Sequence, residues 1–222
     1  MLLGRAKLVT LVITALLLTG AAFADSTVSM AFIGPGGNNG GGVYTYPYSF
    51  SVNGGAPTSL LCDTFDNEVV SGETWTANMS GLLSGNGLFG NQLTNYKEAG
   101  LIFKGILSGN IDAVAGNWAI WGLFSQNASS NPFFASSGAA ALDAQYLSAA
   151  VNASDSAFSG LVLYTPIAGS QPRGNGLPQE FIGYNASYSA PEPGSLLLCG
   201  MAFATIGAGL FGKFRNAQMA KS

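Results

Sequence analysis

The sequence contains no histidine among its 222 residues. Histidine is the commonest general base at neutral pH, the central member of the serine triad and a frequent zinc ligand, so its absence excludes those kinds of site. Charged residues make up only 9% of the chain, which leaves few side chains for acid-base chemistry. We therefore expect no catalytic residue, no metal and no cofactor.

Basic residues are few, and most of them lie at the two ends of the chain. Five of the eight Lys and Arg belong to the terminal segments, so residues 25–180 hold three cations against ten acids, a net charge of −7. Such an acidic region repels a phosphate backbone. We expect no nucleic-acid partner.

The first 24 residues have the layout of a secretory signal peptide. Arg5 and Lys7 precede an apolar core over residues 8–18, and Ala22 and Ala24 form a small-residue cleavage site soon after it. We therefore expect signal peptidase to cut after Ala24 and the protein to be exported. The alternative is an uncleaved membrane anchor, for which the apolar core is short.

A stretch without charged residues, 194–212, lies near the C-terminus. It is long enough to cross a hydrocarbon core of about 30 Å, which predicts one transmembrane helix in the lipid bilayer. Lys213 and Arg215 follow it, and such cations tend to stay in the cytoplasm, so residues 217–222 would form a short cytoplasmic tail. The alternative is a buried helix of a soluble domain, which normally shows a polar face.

Pro191, Glu192 and Pro193 stand immediately before this stretch. Proline is tolerated near a helix start and an anion is favourable there, so the motif marks a helix boundary. Residues 190–216 combine this motif, one apolar span and a terminal basic cluster, and they resemble the PEP-CTERM sorting signal of exported bacterial proteins. The resemblance implies processing by an exosortase, a membrane-embedded cysteine transpeptidase, often in bacteria that make exopolysaccharide.

Residues 25–189 are expected to form one exported globular domain of the α+β class. Period-two alternation predicts strands in the N-terminal third and near the C-terminal end, and helical spacing of apolar residues predicts a central helical segment. The transmembrane helix would follow this domain. Strands are predicted over residues 27–33, 43–52, 60–65, 68–75, 160–165 and 180–188, and helices over 91–107, 112–124 and 138–151.

One cysteine stands out in the exported region. Cys199 lies in the predicted membrane span, which leaves Cys62 without an intramolecular disulfide partner. A leftover cysteine in a secreted protein indicates intermolecular pairing or a reactive thiol, and a buried inert cysteine is the alternative. The acidic run 63–68 lacks the spacing of a calcium loop and is expected to be a solvated turn.

A second resemblance covers residues 60–125. Residues 61–63 (Leu-Cys-Asp) in a predicted strand and residues 117–121 (Asn-Trp-Ala-Ile-Trp) in a predicted helix resemble the motifs of thioester domains in bacterial surface adhesins. In that family a cysteine thiol and a glutamine side chain close an internal thioester that can acylate a surface nucleophile. The resemblance implies a thioester pair of Cys62 and Asn117, although Asn117 is one methylene shorter than glutamine. Ordinary helix core is the alternative for the tryptophans.

These features together predict a protein of the bacterial cell surface or extracellular matrix that is not an enzyme. Its role would be binding or structural and linked to exopolysaccharide or biofilm. The expected partners are signal peptidase, an exosortase-type transpeptidase, the lipid bilayer and extracellular polysaccharide. Two alternatives stay open, namely a covalent thioester adhesin that uses Cys62 and a glycan hydrolase that uses paired carboxylates.

Overall fold

The polypeptide forms eight β-strands and five α-helices within residues 25–170 and 177–186, the ranges that the computed structural model describes. The strands are β1 Ser26–Pro35, β2 Asn39–Gly40, β3 Val43–Tyr44, β4 Tyr48–Val52, β5 Thr58–Cys62, β6 Thr74–Gly81, β7 Leu161–Pro166 and β8 Phe181–Tyr184. The helices are α1 Leu93–Leu107, α2 Ala113–Phe124, α3 Gln126–Ser129, α4 Pro132–Ser136 and α5 Ala139–Asn152, and a short 3-10 helix, Asp155–Phe158, precedes β7.

Six of the strands close into an antiparallel barrel in the order β1-β4-β5-β8-β7-β6. Buried residues recur at every second position of β1, as expected for a strand with one face inward. Phe50 of β4 meets Trp75 of β6 and Phe181 of β8, with ring centroids 5.7 and 4.5 Å apart. Because these rings come from different strands and touch one another, they fill the barrel interior.

The helices form one insertion between β6 and β7. Helices α1, α2 and α5 each contact the other two, and α2 also contacts β5. Every residue of β7 is buried, because one face lines the barrel and the other is covered by α1, where Gly100 lies against the side chain of Leu161. The barrel and the helices therefore share one hydrophobic core.

The predicted fold class is wrong. The α+β prediction placed two groups of strands around a central helical segment, whereas β1 pairs with β6 and β5 pairs with β8, so both groups belong to one closed barrel. Periodicity reports which face of a strand is buried, and it carries no information on which strand is its neighbour. Within the described ranges no helix is long and apolar enough to cross a membrane. Residues 194–212, for which a transmembrane helix was predicted, lie outside those ranges.

Individual elements were predicted with mixed success. Helices α1, α2 and α5 lie close to their predicted ranges, and Asp112 caps α2 by accepting hydrogen bonds from Val114 N and Ala115 N, both at 3.0 Å. The predicted strand over residues 68–75 is wrong, since the next barrel strand begins only at Thr74. The predicted strand over residues 43–52 is interrupted around Pro47, whose nitrogen has no hydrogen to donate to a neighbouring strand.

A glycine-rich hairpin, β2–β3, packs tightly on the helices. The indole nitrogen of Trp118 donates to Gly40 O at 3.1 Å. Gly41 has a φ of +66°, and a Cβ at this position would lie 2.7 Å from the Trp118 ring. The hairpin therefore needs glycine here both for its backbone conformation and for its close approach to α2.

Gly41→Ala is expected to lower the free energy of unfolding by about 3 kcal/mol, because the methyl group meets the Trp118 ring in addition to the cost of positive φ. Gly42→Ala is the matched control, since Gly42 also has a positive φ of +85° but open space around its Cβ position. It should cost about 1 kcal/mol. Denaturant unfolding measures both changes, and equal losses would contradict the close approach.

Candidate functional site

The two residues predicted as a thioester pair lie together, but they meet through the main chain of Cys62. Asn117 Nδ2 donates to the carbonyl oxygen of Cys62 at 2.9 Å. Asn117 Oδ1 accepts from the backbone nitrogen of Tyr46 at 2.7 Å. Both polar atoms of the amide are thus engaged, and the side chain ties α2 to β5 and to the segment before β4.

The thiol of Cys62 is completely buried. It donates to Thr64 O at 3.3 Å. Burial, and then the nearby Asp63, raise the pKa of Cys62 above its usual range, and the neighbouring Trp121 side chain and Thr64 main chain offset this only in part. Since the thiolate is the reactive form, a neutral buried thiol is a poor nucleophile. The geometry of the pair therefore supports a structural role.

The tryptophans of the second motif belong to the core. Trp118 and Trp121 are buried and their rings meet edge to face at 5.4 Å. Phe65, from the segment that follows β5, contacts both rings, at 5.4 and 5.3 Å. The three rings join α2 to the end of β5, which is the arrangement expected of ordinary helix core.

Two buried acids lie beside Cys62, and the sequence pattern missed them. Asp63 was expected in a solvated turn, but its side chain is completely buried, as is that of Glu180. Glu180 accepts hydrogen bonds from Tyr96 OH at 2.7 Å, from Leu88 N at 2.9 Å and from the hydroxyl of Thr165. A carboxylate with three donors is well compensated for its burial.

Asp63 has a different environment from Glu180. Its Oδ1 accepts from the Thr64 hydroxyl at 3.0 Å, whereas Oδ2 makes no regular hydrogen bond with any residue in the described ranges. Burial, and then the charge and hydrogen bonding of Glu180, raise the pKa of Asp63 well above its usual range. Two neighbouring buried carboxyl groups cannot both ionise easily, which favours the protonated form of Asp63.

This carboxyl pair has the chemistry of an acid and a base but not the access. Neither side chain reaches solvent, so a glycan could not contact it without opening the barrel. Within the described ranges no three acidic or cysteine side chains converge as metal ligands would. The pair therefore has a structural role, because it joins the end of β5 to β8 and α1.

A second acid pair lies between α1 and α5. Glu98 is 2% exposed and Asp143 is partly buried. Burial raises the pKa of Glu98 to about 7, and burial followed by the charge of Glu98 raises the pKa of Asp143 to about 7. The neighbouring Lys97 is paired with Asp155 at 2.8 Å. The acids are therefore left to repel each other when both ionise.

These raised pKa values predict that stability falls as pH rises. The usual pKa values are 4.5 for Glu98 and 3.8 for Asp143, so between about pH 4 and 7 the folded state binds more protons than the unfolded state. The double variant Glu98→Gln/Asp143→Asn should flatten this decline. At pH 8 the free energy of unfolding of the double variant should exceed that of the parent by about 2 kcal/mol. This value is reduced because solvent screens the charge of Asp143.

The measurement is urea unfolding from pH 4 to pH 8. Glu68→Gln, a change at an exposed carboxylate, serves as the control and should leave the pH profile as it is. A double variant with the parent's slope would show that this pair does not set the pH dependence.

An open cleft lies beside the buried group of Cys62, Asp63 and Glu180. It has a volume of about 520 Å³, and its lining combines aromatic rings with a few polar side chains. Phe32, Tyr48, Trp121 and Gln179 are buried and form its base, while Tyr44 and Val70 on the rim are 54% and 50% exposed. We call it the aromatic cleft; it is lined by Phe32, Pro35, Gly42, Val43, Tyr44, Tyr48, Phe65, Asn67, Glu68, Val69, Val70, Ser71, Trp121 and Gln179.

The terminal signals lie outside the described residues. This applies to the cleavage site at Ala22 and Ala24, to the sorting motif 191–193, and to Lys213 and Arg215. Comparison of the chain with protein-family models, with curated proteins and with solved structures finds no match. The two resemblances in the sequence therefore stay predictions, and the function has to be argued from the residues themselves.

Proposed function

We propose that the chain is an exported protein of the bacterial cell surface or extracellular matrix, with a non-catalytic binding or structural role linked to exopolysaccharide. The signal-peptide layout at residues 1–24 supports export. The ordered features of residues 190–216 support recognition by an exosortase.

One observation carries the non-catalytic part of this proposal. Three neighbouring groups with reactive potential, namely Cys62, Asp63 and Glu180, are sealed from solvent and hydrogen-bonded within the protein. The aromatic cleft beside them is open and lined with side chains suited to contact rather than to proton transfer. An enzyme needs its acid or nucleophile within reach of the substrate, and this arrangement favours a binding protein.

Cell fractionation tests the export and sorting. In cells with the exosortase the chain should be recovered from the surface or the medium, cut near Pro191 and without its first 24 residues. In cells that lack the exosortase it should keep the segment 190–216 and stay with the membrane fraction. A catalytically inactive exosortase is the control for indirect effects. Recovery of the intact chain, leader included, from the cytosol would refute the proposal.

A further inference from the structure

We propose that the aromatic cleft is a binding site for an uncharged oligosaccharide segment. This inference rests on the proposed function, because only an exported protein meets extracellular glycans. It specifies where on the molecule the ligand binds, that the ligand is uncharged, and which side chains contact it.

Aromatic side chains give the cleft its apolar character. Five of its lining residues are Phe or Tyr or Trp, and three of these, Phe32, Tyr48 and Trp121, are held in the core. The exposed Tyr44 stands on the rim, on a hairpin fixed by the close contact of Gly41 with Trp118. The core thus holds the base of the cleft rigid, and the exposed ring of Tyr44 with the partly buried Phe65 supplies the aromatic contact area at low entropic cost.

The polar groups of the cleft mainly accept hydrogen bonds. The amide nitrogen of Gln179 donates to Thr64 O at 3.1 Å and to Asn67 O at 2.6 Å, and the amide nitrogen of Asn67 donates to Pro178 O at 3.2 Å. Within the described ranges no hydrogen bond reaches Asn67 Oδ1, Gln179 Oε1 or the Glu68 carboxylate. The cleft thus matches a ligand that donates several hydrogen bonds.

The charge around the cleft excludes an anionic ligand. Glu68 lies in the lining, and the two lysines of the described ranges are engaged elsewhere, Lys97 with Asp155 and Lys104 with Ala157 O. Residues 25–180 carry ten acids against three cations. A polysaccharide rich in carboxylate, sulfate or phosphate groups would therefore be repelled.

Size distinguishes a saccharide from a small cation. A volume of about 520 Å³ lies within the usual range for sites that enclose a drug-sized ligand. An ammonium group would satisfy Glu68 but would leave Asn67, Ser71 and Gln179 without donors. A chain of sugar rings supplies hydroxyl donors along its length and apolar C–H faces for the aromatic residues.

Isothermal titration calorimetry of the purified full chain, in an uncharged polyoxyethylene detergent, tests the proposal. The probes are neutral tetrasaccharides, namely β-1,4-glucan, α-1,4-glucan, β-1,4-mannan and β-1,4-linked N-acetylglucosamine, with tetragalacturonate as the anionic comparison. We expect at least one neutral probe to bind and tetragalacturonate not to bind. Tyr44→Ala should lower the affinity for the probe that binds about tenfold, and Glu68→Gln should lower this affinity by less.

Tyr184→Ala is the matched control, because Tyr184 has the same 54% exposure as Tyr44 but does not line the cleft. It should leave affinity within about twofold of the parent. Failure of every neutral probe, equal loss in Tyr44→Ala and Tyr184→Ala, or preference for choline or a proline-rich peptide would each overturn the proposal. Because purified protein is used, these results do not depend on export or sorting, and failure of the fractionation experiment would be recognised separately.

Discussion

Glu180→Gln is expected to lower the free energy of unfolding by about 3 kcal/mol, whereas Asp63→Asn at the adjoining acid should cost about 1 kcal/mol or less. Glu180 accepts from three donors, Tyr96 OH, Leu88 N and the Thr165 hydroxyl. A glutamine oxygen accepts two of these at most and its NH₂ group faces the third. The pKa of Asp63 is raised by burial and by Glu180, which favours its neutral form, and the neutral asparagine amide resembles that form.

Chemical denaturation at pH 7 measures both variants, and circular dichroism checks that each retains the fold. The asymmetry between the two changes is the informative result. Equal losses, or a larger loss for Asp63→Asn, would mean that Asp63 does not favour its protonated form. A variant Glu180→Gln that does not fold agrees with the prediction only if Asp63→Asn folds under the same conditions.

Asn117→Ala is expected to destabilise the protein by about 4 kcal/mol. The substitution removes the partners of two main-chain groups, the partly buried Tyr46 N and the buried carbonyl of Cys62. Each unsatisfied buried group costs about 1–3 kcal/mol, and the space left by the amide adds to this. Thermal and denaturant unfolding provide the measurement.

Asn127→Ala is the matched control for this prediction. Asn127 is also a helical asparagine whose amide nitrogen donates a hydrogen bond, to Asp66 Oδ1 at 2.7 Å, but it is exposed. Its loss should cost about 0.5 kcal/mol. If Asn117→Ala were as mild as the control, the amide would not be the link between α2 and the barrel. Intact mass of the parent protein tests the thioester hypothesis, which requires a mass short by one ammonia and the addition of one methylamine when the protein is treated with that amine.

The helical part of the fold was accessible from the sequence. Apolar spacing predicted α1, α2 and α5. These features are local, because a helix forms its main-chain hydrogen bonds within one segment and displays its buried face at a fixed period. The neighbourhood of Cys62 and Asn117 followed only from a resemblance, and the bond between them uses a carbonyl that no motif names.

The buried acids were missed for a physical reason. Aspartate and glutamate are exposed to solvent in most proteins, so the sequence predicts an exposed position for them. The free-energy cost of burying a carboxylate is offset only when hydrogen-bond donors from distant segments contact it. For Glu180 the donors come from Leu88 and Tyr96, which are 92 and 84 residues away along the chain, and from Thr165, which is 15 residues away. One local signal was available, since Asp63 directly continues the buried run of Leu60, Leu61 and Cys62 in β5.

The sequence alone determined the composition, the absence of histidine, the order of apolar and basic segments at the two ends, and the positions of the main helices. The tertiary structure decided how the strands close into a barrel, which acids share a buried site and which side chains line the aromatic cleft. The first set depends on neighbours along the chain. The second depends on pairings such as β1 with β6 and β5 with β8, whose free energy is gained only when distant segments meet.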